Sequence, residues 1–167
     1  FGTKSFTISF FIKETIPTYQ KNRFAFGNAY HNIGPGFSLY GRALELTTGG
    51  TYPKKTYGSM CWNNNASRCI EWRDGNWHHL AYVIQRTPTS LKIYNYYDGQ
   101  LVNINGAGSF PLTTSLTGKE LIIGNGYNTA GSVVSTFGLI GTMDDFSIWN
   151  RTLTATEIKQ VCGSLGG

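Results

Sequence analysis

Pairs of carboxylates are the groups in this chain that could do chemistry. Retaining glycosidases cleave sugars with two carboxyl groups about 5–5.5 Å apart, which on one strand means acidic residues two or four positions apart. The acidic residues are Glu14, Glu45, Glu71, Asp74, Asp98, Glu120, Asp144, Asp145 and Glu157. None of these residues has a partner at that spacing on one strand. Asp144 and Asp145 are adjacent, so regular alternation predicts that their side chains point to opposite faces.

The histidines favour structural roles. His78 and His79 follow Trp77 in a β pattern, and we expect one packed and one surface imidazole. His31 lies in a segment of Gly and Asn. The sequence also lacks a Gly-x-Ser-x-Gly elbow, a phosphate loop and a dinucleotide fingerprint. These observations predict that the chain is not an enzyme.

The cysteines indicate an oxidising compartment. Cys61 and Cys69 flank the mostly polar residues 62–68, a spacing that suits a disulfide across a hairpin loop and predicts an extracellular, secreted or surface-exposed location. No CxxC pair or nearby His supports zinc. Cys162 either pairs outside this segment, pairs between chains, or stays a buried free thiol. The sequon at Asn65 predicts a glycan in the same polar loop, and Asn150 begins a weaker one.

The distribution of charged and of apolar residues argues against two classes of partner, nucleic acids and membranes. The net charge is +5, from 14 Lys and Arg against 9 Asp and Glu, and apart from Lys54-Lys55 the basic residues are scattered. Nucleic-acid binders concentrate such charge, so we predict no nucleic-acid partner. No apolar run reaches the length of a membrane span, so we predict no membrane insertion. The mild basicity leaves two interpretations open, a preference for acidic glycans and ordinary solubility.

The elements that must position these residues are mostly strands. The chain has 10 Tyr, 10 Phe and 21 Gly with only 14% charged residues, a composition typical of β structure. Phe6, Ile8, Phe10 and Ile12 alternate with polar residues, which predicts a half-buried strand. Shorter strands are expected around 23–27, 36–40, 43–48, 57–62 and 69–72.

A hairpin and a helix complete the pattern. Residues 75–84 are apolar on both faces, which indicates a central strand. A second strand follows from Leu91, and the Asp98-Gly99 turn leads into 100–104. Strands are expected at 121–124 and 137–150. Residues 154–161 form the one predicted helix, with Thr154 and Glu157 as its capping box.

Three segments together resemble laminin-G-like and pentraxin-like domains of the concanavalin A-like superfamily. They are SFTISFFIK at 5–13, WHHLAYV with YYDG at 77–99, and FGLIGTMDDFSIWNRTLTATEI at 137–158. The resemblance covers most of the chain and implies an all-β jelly-roll sandwich of two antiparallel sheets with one short C-terminal helix. We expect residues 1–167 to be a single such domain, a fragment of a larger protein.

The resemblance also implies a function and a metal. Members of this family are mostly recognition modules, and the Glu-x-Asp-x-x-Glu spacing of the superfamily's hydrolases is absent here. The family often binds calcium through the Asp of the C-terminal motif, which maps onto Asp144 with Asp145 beside it. The usual N-terminal carboxylates and the strand that pairs beside the C-terminal strand are missing. That strand lies upstream, comes from a partner segment, or leaves the edge open. Alternatively, Asp144 accepts backbone N–H groups at a strand bend.

Aromatic and polar residues suggest a glycan-binding surface, because sugars stack an apolar face on a ring while amides and charges bind their hydroxyls. The candidates are Tyr52, Lys54, Tyr57, Trp62, Asn64, Arg68, Trp72, Tyr94 and Tyr96. The alternative for each ring is packing in the core. We therefore expect a non-catalytic, lectin-like, carbohydrate-binding module, with calcium as a possible cofactor. The alternatives are a protein-binding adhesion or structural assembly module, and a hydrolase with unusual residues.

Overall fold

The protein is described from a computed structural model. The structure describes residues 4–15, 24–29, 35–40, 43–47, 55–60, 69–87, 90–107, 120–127, 132–133 and 138–164. Side chains are described for all of these except 24, 55–57 and 107. No helix within these ranges is long and apolar enough to cross a membrane.

The described residues form two antiparallel sheets and a helix. In chain order the strands are β1 (Phe6–Thr15), β2 (Phe24–Gly27), β3 (Gly36–Tyr40), β4 (Ala43–Thr47), β5 (Lys55–Ser59), β6 (Asp74–Arg86), β7 (Leu91–Tyr97), β8 (Gln100–Ala107), β9 (Ile122–Ile123) and β10 (Gly141–Trp149), and helix α1 is Ala155–Gly163. Sheet A has the order β10-β1-β6-β7-β8, and sheet B has the order β5-β4-β3-β2-β9. This is the predicted jelly-roll sandwich.

The core lies between the two sheets. The inward residues of β1, which alternate in the sequence, are all buried: Phe6, Ile8, Phe10 and Ile12. Phe10 meets Phe26 of sheet B edge to face, with ring centroids 5.3 Å apart. Complete burial of one such side chain contributes roughly 1.5–3 kcal/mol. The period-2 pattern therefore positions sheet A against sheet B.

Helix α1 covers part of the outer face of sheet A, the face turned away from sheet B. Ile158 and the preceding Leu153 pack there in a second apolar cluster with Ala81, Val83 and Tyr96. The helix begins where predicted, because the Thr154 hydroxyl accepts a hydrogen bond from Glu157 N, while the Glu157 carboxylate accepts one from Thr154 N.

Thr7 fixes the segment that leads into the helix. Its buried hydroxyl donates to the Arg151 carbonyl at 2.9 Å and accepts from Leu153 N at 3.0 Å. Both backbone groups belong to the connection between β10 and α1, where no strand partner would satisfy them. One hydroxyl on β1 therefore holds the start of α1 over sheet A.

Strand β10 contains a bulge that the alternating pattern did not predict. Ser9 pairs with Ser147 and Phe11 pairs with Asp144, so the register shifts by one residue between the two pairs. Asp145 lies in this interval with a φ of 46°. Two residues of β10 therefore lie opposite one residue of β1, and one of the two has a left-handed backbone conformation. This is the pattern of a G1-type bulge.

The bulge decides where the two carboxylates point. Met143 and Phe146 both pack against the core, although regular alternation would place residues 143 and 146 on opposite faces. Asp144 and Asp145 are consequently both exposed. The expectation that these carboxylates point to opposite faces was wrong, because one extra residue in β10 resets the alternation.

Other predicted elements differ in their bounds. The strand expected around 57–62 is Lys55–Ser59, and the one expected at 121–124 is only Ile122–Ile123. No strand covers the predicted 69–72. That prediction was wrong, because a short aromatic run also suits an irregular segment whose ring enters the core, as Trp72 does.

Candidate functional site

Most of the predicted glycan contacts fall outside the described residues. These are Tyr52, Lys54, Trp62, Asn64 and Arg68, together with Cys61 of the predicted disulfide and Asn65 of the predicted glycan. Tyr57 lies on β5, paired with Glu45 of β4, and its side chain is not described. The roles of all these residues stay predictions.

Trp72 does not bind a ligand at the surface, and its assignment to the glycan-binding set was wrong. Its side chain is 1% exposed and belongs to the core between the sheets. The indole nitrogen donates a 3.3 Å hydrogen bond to the buried carboxylate of Glu14. A ring closed off in this way offers no face to a sugar.

Tyr94 and Tyr96 lie together in a cleft on the outer face of sheet A. The cleft has a volume of about 190 Å³ and runs between β6, β7 and the start of α1. Its lining consists of Val83, Gln85, Tyr94, Tyr96, Thr152, Leu153, Thr154 and Ala155. Tyr94 is half-buried, whereas Tyr96 is buried beneath the helix and forms a wall of the cleft.

Several polar groups in the cleft remain available for a ligand. The Tyr94 hydroxyl donates to the Gln85 side-chain carbonyl at 3.0 Å, which leaves the Gln85 amide NH₂ without a partner among the described residues. The hydroxyls of Tyr96 and Thr152 likewise have no partner there. Burial, together with the nearby Tyr94, raises the pKa of Tyr96, so its hydroxyl stays protonated and can donate.

The cleft can therefore bind a small, uncharged, hydroxyl-rich molecule. An aromatic side chain offers apolar contact, and an amide and two hydroxyls offer directed hydrogen bonds. Its volume is below the roughly 300–1,000 Å³ of pockets for drug-sized ligands. The volume of the cleft suits one sugar ring with its substituents.

Asp144 and Asp145, the predicted calcium ligands, lie side by side on the exposed bulge of β10. The carboxylate of Asp144 accepts a 2.8 Å hydrogen bond from Asp145 N, as the alternative interpretation at a strand bend expected. Within the described ranges, no group of three or more His, Cys, Asp or Glu residues is placed to hold a metal ion. A calcium site at Asp144 and Asp145 stays a prediction.

A cluster of ionisable side chains around His78 was missed at the level of sequence. Its Nδ1 lies 2.9 Å from Asp98 Oδ2 and its Nε2 lies 3.1 Å from Asp74 Oδ1. The Tyr97 hydroxyl lies 2.6 Å from Nδ1. The His78 ring hydrogen-bonds to both carboxylates at once only when both of its nitrogens donate, that is, when the imidazole is protonated.

The pKa values follow from these contacts. Burial lowers the pKa of His78, but hydrogen bonds with Asp98 and Asp74 outweigh burial and raise it above 6.5. Backbone and side-chain hydrogen bonds from Asn76 lower the pKa of Asp74 to about 2. His79 behaves differently: burial lowers its pKa to about 4, against a smaller opposing effect of Asp98.

Only tertiary pairing reveals this cluster. The Asp98-Gly99 turn was recognised, but Asp98 also accepts from His79 N at 2.8 Å, and that contact depends on the register between β6 and β7. A signal was present, since a turn Asp after a strand can reach the neighbouring strand. The sequence alone did not indicate which histidine it meets.

Comparison with known proteins places this architecture in a family. A model of the concanavalin A-like lectin/glucanases superfamily matches residues 1–159. The chain belongs to this superfamily. A search of curated proteins finds no match to the sequence.

Solved structures of this superfamily's fold are similar over nearly the whole chain. A native heptameric SAP-like pentraxin from Limulus polyphemus is 18% identical with a TM-score of 0.59, covering 95% of this chain and 70% of its own. The binding domain of botulinum neurotoxin DC, solved with rat synaptotagmin II, is 17% identical with a TM-score of 0.61, covering 98% of this chain and 36% of its own.

A third similar structure belongs to botulinum neurotoxin type C, whose cell entry depends upon interaction with two ganglioside molecules. It is 19% identical with a TM-score of 0.54, covering 97% of this chain and 36% of its own. The chain thus spans little more than a third of each toxin structure. At these identities the likeness shows the fold alone.

Proposed function

We propose that this chain is a non-catalytic, lectin-like module that binds carbohydrate in the cleft beside Tyr94. The observation that carries the proposal is the cleft itself, in which an aromatic side chain adjoins an amide and two hydroxyls that have no partner among the described residues. Membership of a superfamily of lectins and glucanases supports a sugar as the ligand. The toxin that depends on gangliosides, which are glycolipids, is consistent with such a role on this fold.

Screening the purified chain on a glycan array tests the proposal. We expect binding to a defined subset of glycans, with Gln85→Ala reducing it at least about tenfold, because the truncation leaves sugar hydroxyls without their partner. Gln100→Ala, at an exposed position of β8 outside the cleft, is the matched control and should bind as the wild type does. Failure of every glycan to bind would overturn the proposal.

Calcium is the proposed cofactor, held by Asp144 and Asp145 with further oxygen ligands. Both carboxylates are exposed and adjacent, and Ca²⁺ prefers carboxylate and carbonyl oxygens in open loops. Calcium should raise the thermal unfolding midpoint of the wild type and leave Asp144→Asn unchanged. An equal effect of calcium on both proteins would place the ion elsewhere or exclude it.

A protein-binding adhesion or assembly role is the second candidate, and the edge of sheet A favours it. Within the described residues, β10 has β1 as its only neighbour, and an open strand edge can pair with another chain. A toxin domain of this fold solved with a protein receptor is compatible with it. Self-association in light scattering, without any glycan binding, would favour this role.

The proposed setting is extracellular, on a secreted or surface protein of which this module is one part. The backbone supports the predicted disulfide that points to such a setting. Ile70 N donates to the Met60 carbonyl at 2.9 Å. Ile70 follows Cys69 and Met60 precedes Cys61 in the chain, so this contact is compatible with the predicted disulfide.

A further inference from the structure

The outer face of sheet A continues past helix α1 into an exposed aromatic surface. Register places Trp77, Lys13 and Thr142 side by side on β6, β1 and β10. The next row in the same register is His79, Phe11 and Asp144. We call Trp77, Phe11, Lys13, Thr142 and Asp144 the Trp77 face.

These side chains point away from the core. Phe10 and Ile12, which flank Phe11, are both fully buried between the sheets, so Phe11 and Lys13 lie on the outer face. Residues directly paired across antiparallel strands share a face. Trp77 and Asp144 are therefore on the outer face as well.

Trp77 and Phe11 are the two aromatic side chains of the Trp77 face, in neighbouring rows of the register. Trp77 is 45% exposed, and Phe11, half-buried, is its diagonal neighbour across β6 and β1. Phe11 is held in place by His79, with ring centroids 4.8 Å apart. Single exposed apolar residues are ordinary, but these two rings lie beside Lys13 and Thr142, whose side chains have no hydrogen-bond partner among the described residues.

Polar residues share these two rows with the rings. Among the described residues, the Lys13 ammonium and the Thr142 hydroxyl have no hydrogen-bond partner, and Asp144 uses one carboxylate oxygen for Asp145 N. The charges are mixed, with Lys13 against Asp144 and Asp145. Such a mixed field complements an uncharged ligand better than a strongly charged one.

We propose that the Trp77 face is a second carbohydrate-contact surface, on which a neutral polysaccharide lies flat across β6, β1 and β10. The rings contact the apolar faces of the sugars, while Lys13, Thr142 and Asp144 bind their hydroxyls. Trp77 and Val83 of the cleft are six residues apart on β6, which corresponds to about 20 Å. The two surfaces are therefore separate contacts on one side of the molecule.

Affinity electrophoresis through gels of a soluble β-glucan, a xylan and a mannan tests the proposal, with heparin as the acidic comparison and chelator present throughout. We expect Trp77→Ala to weaken binding of the retained neutral polysaccharide at least about tenfold, and Asp144→Asn to weaken it as well. Trp77→Phe should stay within about threefold of wild type. Ile123→Ala, which truncates an equally exposed apolar side chain on sheet B, is the control.

Four results would overturn this proposal. They are unchanged binding by Trp77→Ala, preference for heparin, no retardation of the wild type by any neutral polysaccharide, and a dimer in light scattering that Trp77→Ala converts to monomer. If Gln85→Ala abolishes polysaccharide binding and Trp77→Ala does not, the Trp77 face fails while the cleft stands. The glycan array with Gln85→Ala tests carbohydrate binding in the cleft independently of the gel experiment.

Discussion

Tyr94 donates a 3.0 Å hydrogen bond to Gln85, and this contact joins β7 to β6 at the mouth of the cleft. It orients the Gln85 carbonyl toward the tyrosine, and the amide NH₂ has no partner in the part of the chain that the structure describes. The same side chain thus supplies an aromatic surface and positions the neighbouring donor. The proposed sugar site depends on this pair more than on any other contact.

Two substitutions at Tyr94 separate its ring from its hydroxyl. Tyr94→Phe should weaken glycan binding by a few fold, because the ring remains while Gln85 loses a hydrogen bond worth about 1 kcal/mol. Tyr94→Ala should weaken it at least about tenfold, because the apolar contact is lost as well. Calorimetric titration with the best glycan of the array measures both. Equal affinities for the two variants would assign the ring no role.

Asp145 tests whether the bulge in β10 depends on its backbone conformation. Its φ of 46° is disfavoured for most side chains, so Asp145→Val should lower the free energy of unfolding by about 1–2 kcal/mol. Asp145→Gly should leave it unchanged or raise it. Urea denaturation measures both, with Thr142→Val, at another exposed position of β10 outside the left-handed region, as the control within about 0.5 kcal/mol. A destabilised glycine variant would contradict this account.

His78 should make stability depend on pH. Its pKa is raised in the folded state by Asp98 and Asp74 against burial, so its contribution is fully present below pH 6.5 and is lost as the pH rises through the folded pKa. The difference in unfolding free energy between wild type and His78→Asn should be larger at pH 5.5 than at pH 9, by at most about 1 kcal/mol. His79 is present in both proteins and cancels. A constant difference would show that the cluster is not ionic.

The cysteines can be assigned chemically. Peptide mapping without reduction should recover Cys61 linked to Cys69, because the hydrogen bond between Ile70 and Met60 joins the residues next to them in the chain. Cys162 is free and half-buried, so thiol titration of the unfolded, unreduced chain should find one group. Three reactive thiols, or a peptide linking Cys162, would contradict the assignment.

The sequence predicted the sandwich because its signals were local and repeated. The alternation of Phe6, Ile8, Phe10 and Ile12 predicts a strand with one face in the core. Thr154 and Glu157 likewise specify a helix start within four residues. Such patterns are complete within one element, and the structure confirms them.

The candidate site was less accessible to sequence reasoning because it depends on contacts between elements. Nothing near Trp72 distinguishes a core ring from a surface ring, and it belongs to the core. The burial of Tyr96 follows from where α1 docks, which Thr7 fixes from the far end of the chain. The exposure of both Asp144 and Asp145 follows from a bulge that only the pairing with β1 reveals.

The central claim, that the cleft beside Tyr94 binds carbohydrate, is tested most directly by NMR titration of the ¹⁵N-labelled chain with a glycan selected on the array. We expect saturable shifts of the Gln85 side-chain amide and of the backbone amides of Thr152 and Ala155, and loss of these shifts in Tyr94→Ala. Saturable binding that leaves all three signals unmoved would contradict the claim.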